Sequence, residues 1–194
     1  MGDRDVVNVM VIDNGSGMIK AGFAGADRPS AVFSTTVGRP PHPAIMPGMG
    51  EKDVYVGDEA QLRRGILDLR CPIERGVVTN WDEMETIWQY TFHELDVSPE
   101  EKTVLLSEPV LNPKSNCEKM TEVMFEKFKV PVENISITSL LGMFGSGRTT
   151  GVVIECGHSV TTAVAVIDQA AHLEAFGNDV AGIDLTDYLT QLLM

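Results

Sequence analysis

The sequence predicts an α/β chain of two similar sub-domains, each opening on a β-hairpin whose turn follows an acid and carries a glycine. Three observations lead there. Val9 to Gly25 reads as an apolar run ending in Asp13, a turn with Gly15 and Gly17, and a second strand bearing Lys20. Val153-Ile154-Glu155-Cys156-Gly157-His158-Ser159-Val160-Thr161-Thr162 lies on Val11-Ile12-Asp13-Asn14-Gly15-Ser16-Gly17-Met18-Ile19-Lys20 at a constant offset, with acid and glycine in register. Such internal repetition implies two related units facing one another. Elsewhere, short apolar strands alternate with amphipathic stretches of helical period.

Taken in order, Val6 to Ile12, Met18 to Ala24 and Ala31 to Thr35 read as three strands of one sheet joined by tight polar turns. Arg39 to Lys52 holds four prolines and two glycines in fourteen residues, which excludes a helix or a central strand and reads as a surface loop. Its Ile45, Met46 and Met49 are apolar and expected to be exposed. Asp58 to Arg64 reads as a short helix with Asp58 as N-cap. Trp81 to Leu95 is an amphipathic helix after Asn80, with Met84, Ile87, Trp88 and Phe92 on its core face. Thr103 to Leu106 is a buried strand. A helix starts at Pro113, where proline costs nothing, and runs to about Phe128 with Met120, Met124 and Phe128 inward. Ile135 to Thr138 is a strand leading into a short helix, Leu140 to Phe144, broken by Gly145-Ser146-Gly147. A last helix covers Ile183 to Leu193.

Composition narrows the function classes. Apolar residues make up 43% of the 194 and charged residues 22%, an ordinary globular balance. A net charge of −13 argues against non-specific binding to nucleic acid or anionic membranes, both of which need basic surface. Cys71, Cys117 and Cys156 are odd in number and widely spaced, which suits free thiols in a reducing compartment. No apolar run reaches transmembrane length, and the first residues lack a signal pattern. Met1-Gly2 suggests an acylation signal, but Val6 stands where serine or threonine is wanted. The expectation is a cytoplasmic protein with no membrane insertion.

The first hairpin carries the chemistry. Its glycines let successive N–H groups converge on one anion. Ser16 offers a hydroxyl, Lys20 a mobile positive charge, and Asp13 a carboxylate suited to a hydrated divalent cation. The pattern fits a nucleotide's terminal phosphates without being a Walker loop, since a strand follows it. The same residues also suit an ordinary hairpin with an Asn-Gly turn.

A family resemblance extends over essentially the whole chain. Asp13-Asn14-Gly15-Ser16-Gly17, Lys20 to Gly25, Val37-Gly38-Arg39-Pro40, Tyr55 to Gln61, Thr79-Asn80-Trp81-Asp82, Leu111-Asn112-Pro113-Lys114, Ser146 to Gly151 and Asp184 to Leu189 resemble actin, up to about the midpoint of an actin polypeptide. The resemblance implies an actin-like ATPase fold of ribonuclease H-like ββαβα hairpin sub-domains, truncated here. Residues 1–150 would form the first, with a small sub-domain inserted at about 35–70, and 151–194 would begin the second. It also implies ATP with magnesium or calcium in the cleft, a cytoskeletal setting, and actin or actin-binding proteins as partners. By that likeness Asn14, Gly15, Ser16, Gly17, Met18, Lys20, Gly157, His158 and Ser159 would hold phosphate, and Asp13 and Glu155 the metal through water. The Arg39 to Lys52 loop would insert into a neighbouring subunit, although Pro43 and Pro47 depart from the family and stiffen it.

Other departures cluster in the second hairpin. Glu155 replaces an aspartate and is one methylene longer. The family's water-orienting glutamine falls on Thr138 and its assisting histidine on Thr162, and neither threonine has the reach or basicity of what it replaces. An Asp-Gly pair becomes His158-Ser159, and Arg75 takes the place of a histidine beneath the cleft. Impaired hydrolysis is expected. Beyond Met194 would lie the adenine and ribose contacts and helices that cover the first sheet, whose apolar surface is expected to be bare. Two readings follow. One is an actin-like cytoskeletal or scaffold protein acting by protein–protein binding, which Phe144, Gly147 and Thr149 near the family's partner cleft favour. The other is an ATP-binding actin-like ATPase that polymerises, supported by the intact first hairpin. A sugar-kinase or chaperone relative is disfavoured by the Arg39 to Lys52 loop and the Gly147 to Gly151 block.

Overall fold

A computed structural model describes residues 9–41, 52–168, 170–171, 176–178 and 180–194. The predicted α/β class holds. Strand β1 (Val9–Asn14) pairs antiparallel with β2 (Met18–Phe23), which pairs antiparallel with β3 (Ala31–Ser34). The expected start at Val6 lies outside the described residues, and β1 runs on past Ile12 to Asn14. Helix α2 (Trp81–Glu94), which follows the shorter α1 (Asp58–Leu62) in the chain, leads into β9 (Thr103–Glu108), which lies parallel to β1. Helix α3 (Lys114–Glu126) then crosses over to β10 (Val132–Ile137), parallel to β9. Parallel neighbours need such crossovers. The sheet order is β10-β9-β1-β2-β3.

Period-two alternation turns Met10 and Ile12 inward, where both are fully buried with Ile19, Val104 and Leu106. Against them pack Met84, Ile87, Trp88 and Phe92 of α2, and Met120 and Met124 of α3. Phe128 lies edge-on to Trp88 at 6.3 Å and tilted against Phe92 at 5.2 Å. Asn80 caps α2 as expected, its side chain accepting from Glu83 N.

A separate small sheet has the order β5-β4-β6, from Tyr55–Val56, Val37–Arg39 and Asp68–Arg70. Helix α1 (Asp58–Leu62) sits beside it. Arg39 therefore ends a strand instead of opening the loop, and residues 42–51 lie outside the described residues, with Pro43, Ile45, Met46, Pro47 and Met49 among them. Asp58 is not the N-cap. Gly57 takes that place at φ 65°, so Asp58 becomes the first helical residue, and its carboxylate accepts from Ser34 N at 3.4 Å. The small sheet is tied to α2 by a bidentate pair, Arg39 Nε and Nη2 to the Glu83 carboxylate at 2.9 and 3.0 Å. Glu83 is 3% exposed, with Arg70 3.9 Å away.

A third pairing, β7 (Ile73–Glu74) with β8 (Val77–Val78), turns through Arg75 and Gly76 at φ 49° and 83°. Two left-handed residues are what a tight hairpin of this twist requires.

The second hairpin is β11 (Gly151–Cys156) against β12 (Thr161–Ile167), extended on β12 by β13 (Ala170–Ala171) and β14 (Phe176–Asn178). Helix α4 (Thr138–Gly145) packs Met143 beside Val164 and Val166. Thr138, expected to end a strand, is the first residue of that helix. The last helix, α5, spans Gly182–Leu193. Bare apolar surface falls on both units: Met18, Val32 and Val132 of the first sheet are exposed, as expected, and so are Val152 and Ile154 of the second hairpin and Leu185, Tyr188, Leu189 and Leu192 of α5. No helix among the described residues is long and apolar enough to cross a membrane.

Two acids, Glu83 buried and Glu133 partly buried, bear on stability. Arg39→Met strands the Glu83 carboxylate and should cost about 2–4 kcal/mol by urea denaturation, while Arg39→Met with Glu83→Leu should recover most of it. Burial pushes the Glu133 carboxyl above its usual range, and its Oε1 has no hydrogen-bond partner among the described residues. The folded state therefore holds that proton more tightly, and the stability it contributes is lost as pH rises out of the ordinary carboxylate range through the raised value. Glu133→Gln should flatten that dependence and raise the melting temperature at pH 7 by about 1–3 °C.

Candidate functional site

The two hairpins meet with matched registers. Asp13 pairs across β1–β2 with Lys20, and Glu155 pairs across β11–β12 with Thr162, the corresponding positions of the sequence repeat. The shared glycine has the same cause in both. A Cβ on Gly15 would lie 2.4 Å from the Met18 carbonyl oxygen, and one on Gly157 would lie 3.0 Å from that of Val160. Each turn folds back on the residue three places on, where a Cβ would collide outright at Gly15 and be tight at Gly157.

Between the hairpins lies a cavity of about 670 Å³. Asp13, Asn14, Gly15, Ser16, Gly17, Met18 and Lys20 line it from the first hairpin, and Glu155, Gly157, His158 and Thr162 from the second. Thr138, Gly76 and Pro109 complete the wall. Ser159 is the exception among the expected site residues. It lines a neighbouring cavity of about 310 Å³ with Cys71, Arg75 and Asp184.

The first hairpin is held from several sides. Lys20 Nζ donates to Asp13 Oδ2 at 2.9 Å, and Ser107 Oγ donates to Asp13 Oδ1 at 2.8 Å. Ser107 Oγ also accepts from Asn14 N at 2.9 Å, while its carbonyl accepts from Asn14 Nδ2 at 3.1 Å. Trp88 Nε1 donates to Asn14 Oδ1 at 3.0 Å, linking the core helix to the turn. Thr35 Oγ1 donates to the Gly15 carbonyl at 2.6 Å. Lys20 is half exposed, so its ammonium is free to swing from Asp13 towards an anion.

The second hairpin offers less. Ser139 Oγ donates to Glu155 Oε2. Thr162 is 7% exposed, and Thr138 Oγ1 donates to the Glu108 carbonyl at 3.0 Å. The two turns touch: Ser159 Oγ donates to Ser16 Oγ at 2.6 Å, and the His158 ring packs on Gly17. Close by, Cys117 Sγ donates to Glu108 Oε2 at 2.7 Å. Burial, with Glu108 beside it, pushes the Cys117 thiol up to about 11, so it stays protonated and is no nucleophile at neutral pH.

The actin family model matches residues 4–194 of the 194. The chain belongs to the actin family. The Asp13 to Gly17 turn, the blocks that resembled actin and both hairpins all fall inside the matched actin span. Among the described residues no group of three or more His, Cys, Asp or Glu is placed to ligate a metal directly.

Sequence reasoning missed Ser107, Ser139, Thr35 and the indole of Trp88 as supports. A signal for Ser107 was available. The apolar strand from Thr103 turns polar at Ser107-Glu108, as the strand into Asp13-Asn14 does, and parallel pairing sets Ile12 opposite Leu106. Ser107→Ala should destabilise the chain by about 1–3 kcal/mol in urea denaturation, because Asp13 and the Asn14 amide both lose a buried partner.

Proposed function

We propose that this member of the actin family, with an actin-like ATPase fold, is a cytoplasmic cytoskeletal or scaffold protein that acts by binding actin or actin-binding proteins. Its cleft would retain an ATP phosphate site in which hydrolysis is impaired. The single observation that carries this is the Thr138 hydroxyl. It is spent on the Glu108 carbonyl at 3.0 Å, where attack on a γ-phosphate needs a group that orients water. At the second such position, Thr162 is short and buried.

Phosphate oxygens would be met by the Ser16 hydroxyl, by turn N–H groups between Ser16 and Met18, and by Lys20 released from Asp13, while the Gly15 N–H donates to the Asp13 carbonyl at 3.1 Å. The cavity's carboxylates, Asp13 and Glu155, are hard oxygen donors that fit magnesium or calcium through its water shell. Bound there, the ion would neutralise phosphate charge. The chain's own groups would then bind and orient the triphosphate without activating water.

A second reading, an ATPase that cycles and polymerises, is favoured by the intact Asp13–Lys20–Ser107 network. Calorimetry with ATP and magnesium, with phosphate release followed in the same sample, separates the two. Binding with turnover below detection is the expected result, and Thr138→Gln should raise turnover at least about tenfold. Submicromolar binding with steady turnover by the wild type would favour the second reading. No binding at millimolar ATP would remove the phosphate site and leave a scaffold.

A further inference from the structure

A phosphate gripped by two facing turns must sit between them, and here the turns already touch. The Ser16 and Ser159 hydroxyl oxygens are 2.6 Å apart. The His158 ring stands 2.6 Å from where a Cβ on Gly17 would lie, so this contact exists only because residue 17 has no side chain. One phosphoryl oxygen accepting from a donor on each turn holds those donors about 4.5 Å apart, by ordinary hydrogen-bond lengths and angles. For both hydroxyls to donate to one phosphoryl oxygen they must therefore separate by about 2 Å.

Both turns are anchored in the closed position. The second is held from behind by α5, where Gly182 N donates to the Gly157 carbonyl at 3.1 Å and Ile183 N to that of His158 at 2.8 Å. The first is held by Thr35, whose N–H donates to the Gly17 carbonyl at 3.1 Å, and by the Cys71 thiol on the Ser16 carbonyl at 3.2 Å. Ser159 lines the smaller cavity and not the larger one that holds Asp13 and Glu155. Its hydroxyl serves the contact between turns.

We propose that Ser159 and His158 form an autoinhibitory latch: they hold the phosphate cradle shut, and a nucleoside triphosphate tail is gripped from both sides only after the turns part. This rests on the reading of the larger cavity as a phosphate site. Closing the cradle lowers apparent affinity by the fraction of molecules that are open.

The test is calorimetric titration of the whole chain with ATP and magnesium, wild type against Ser159→Gly, with a thermal melt of each to establish folding. Loss of one hydrogen bond from the closed state should tighten binding about three- to tenfold. Stopped-flow association tests the latch on the wild type alone. Its observed rate constant should level off at high ATP, where opening limits binding, and in Ser159→Gly it should keep rising. Equal affinities with no plateau in either chain, or weaker binding by the variant, would overturn the latch and leave the phosphate site standing. No binding by either chain at millimolar ATP would overturn both.

Discussion

The structure depends on where β1 ends. Its last residues stand between an antiparallel neighbour and a parallel one, so Asp13 faces Lys20 on one side and Ser107 on the other. Ser107 is 3% exposed and bonds Asp13 and the Asn14 amide through one hydroxyl. A buried hydroxyl that serves both an acid and a backbone N–H leaves little freedom to either. Trp88 extends the constraint into the core, since an indole packed against the sheet donates to the Asn14 side chain at 3.0 Å. Core packing and site geometry are in this way one problem. A displaced Trp88 would move the turn as surely as a substitution within it.

The repeat shows how one backbone supports two chemistries. Both hairpins share a register and a glycine whose Cβ position faces a close carbonyl. The facing pair in the first is a carboxylate and an ammonium; in the second it is a carboxylate and a threonine hydroxyl. Backbone geometry survives this because it depends on the glycine and on strand pairing. The electrostatics do not survive, because they depend on the side chains at the paired positions. The cleft is consequently lopsided, with Lys20 as the ammonium lining it from the first hairpin.

Much of the fold was legible because it is local. Apolar alternation located β1 to β3, helical period located α2 and α3 with their inward methionines and aromatics, and the repeat announced the second hairpin with its register. What escaped was nonlocal or conformational. Ser107 and Ser139 reach the acids only through parallel pairing and helix placement, which no short window contains. Asp58 looks like a cap by residue type, yet Gly57 takes the left-handed conformation at that position and moves the helix start. Ser159 belonged to the right turn, but the direction of its side chain follows from contact with the other hairpin, which sequence order does not reveal.

That distinction bears on the proposed loss of hydrolysis. Read as a residue type, Thr138 is merely short for orienting a water. Its place just after strand β10 adds a stronger reason. Parallel pairing sets Ile137 opposite Glu108, and helix α4 begins at the next residue. The Thr138 hydroxyl is thereby delivered to the Glu108 carbonyl, where a 3.0 Å hydrogen bond takes its only proton. Releasing it would leave a partly buried carbonyl without that donor, at a cost comparable to a lost hydrogen bond. A longer side chain at the same position would carry its polar end past the carbonyl and into the cavity. On the proposed reading, length at residue 138 decides whether the side chain binds the backbone, as Thr138 does, or is left to face the cavity.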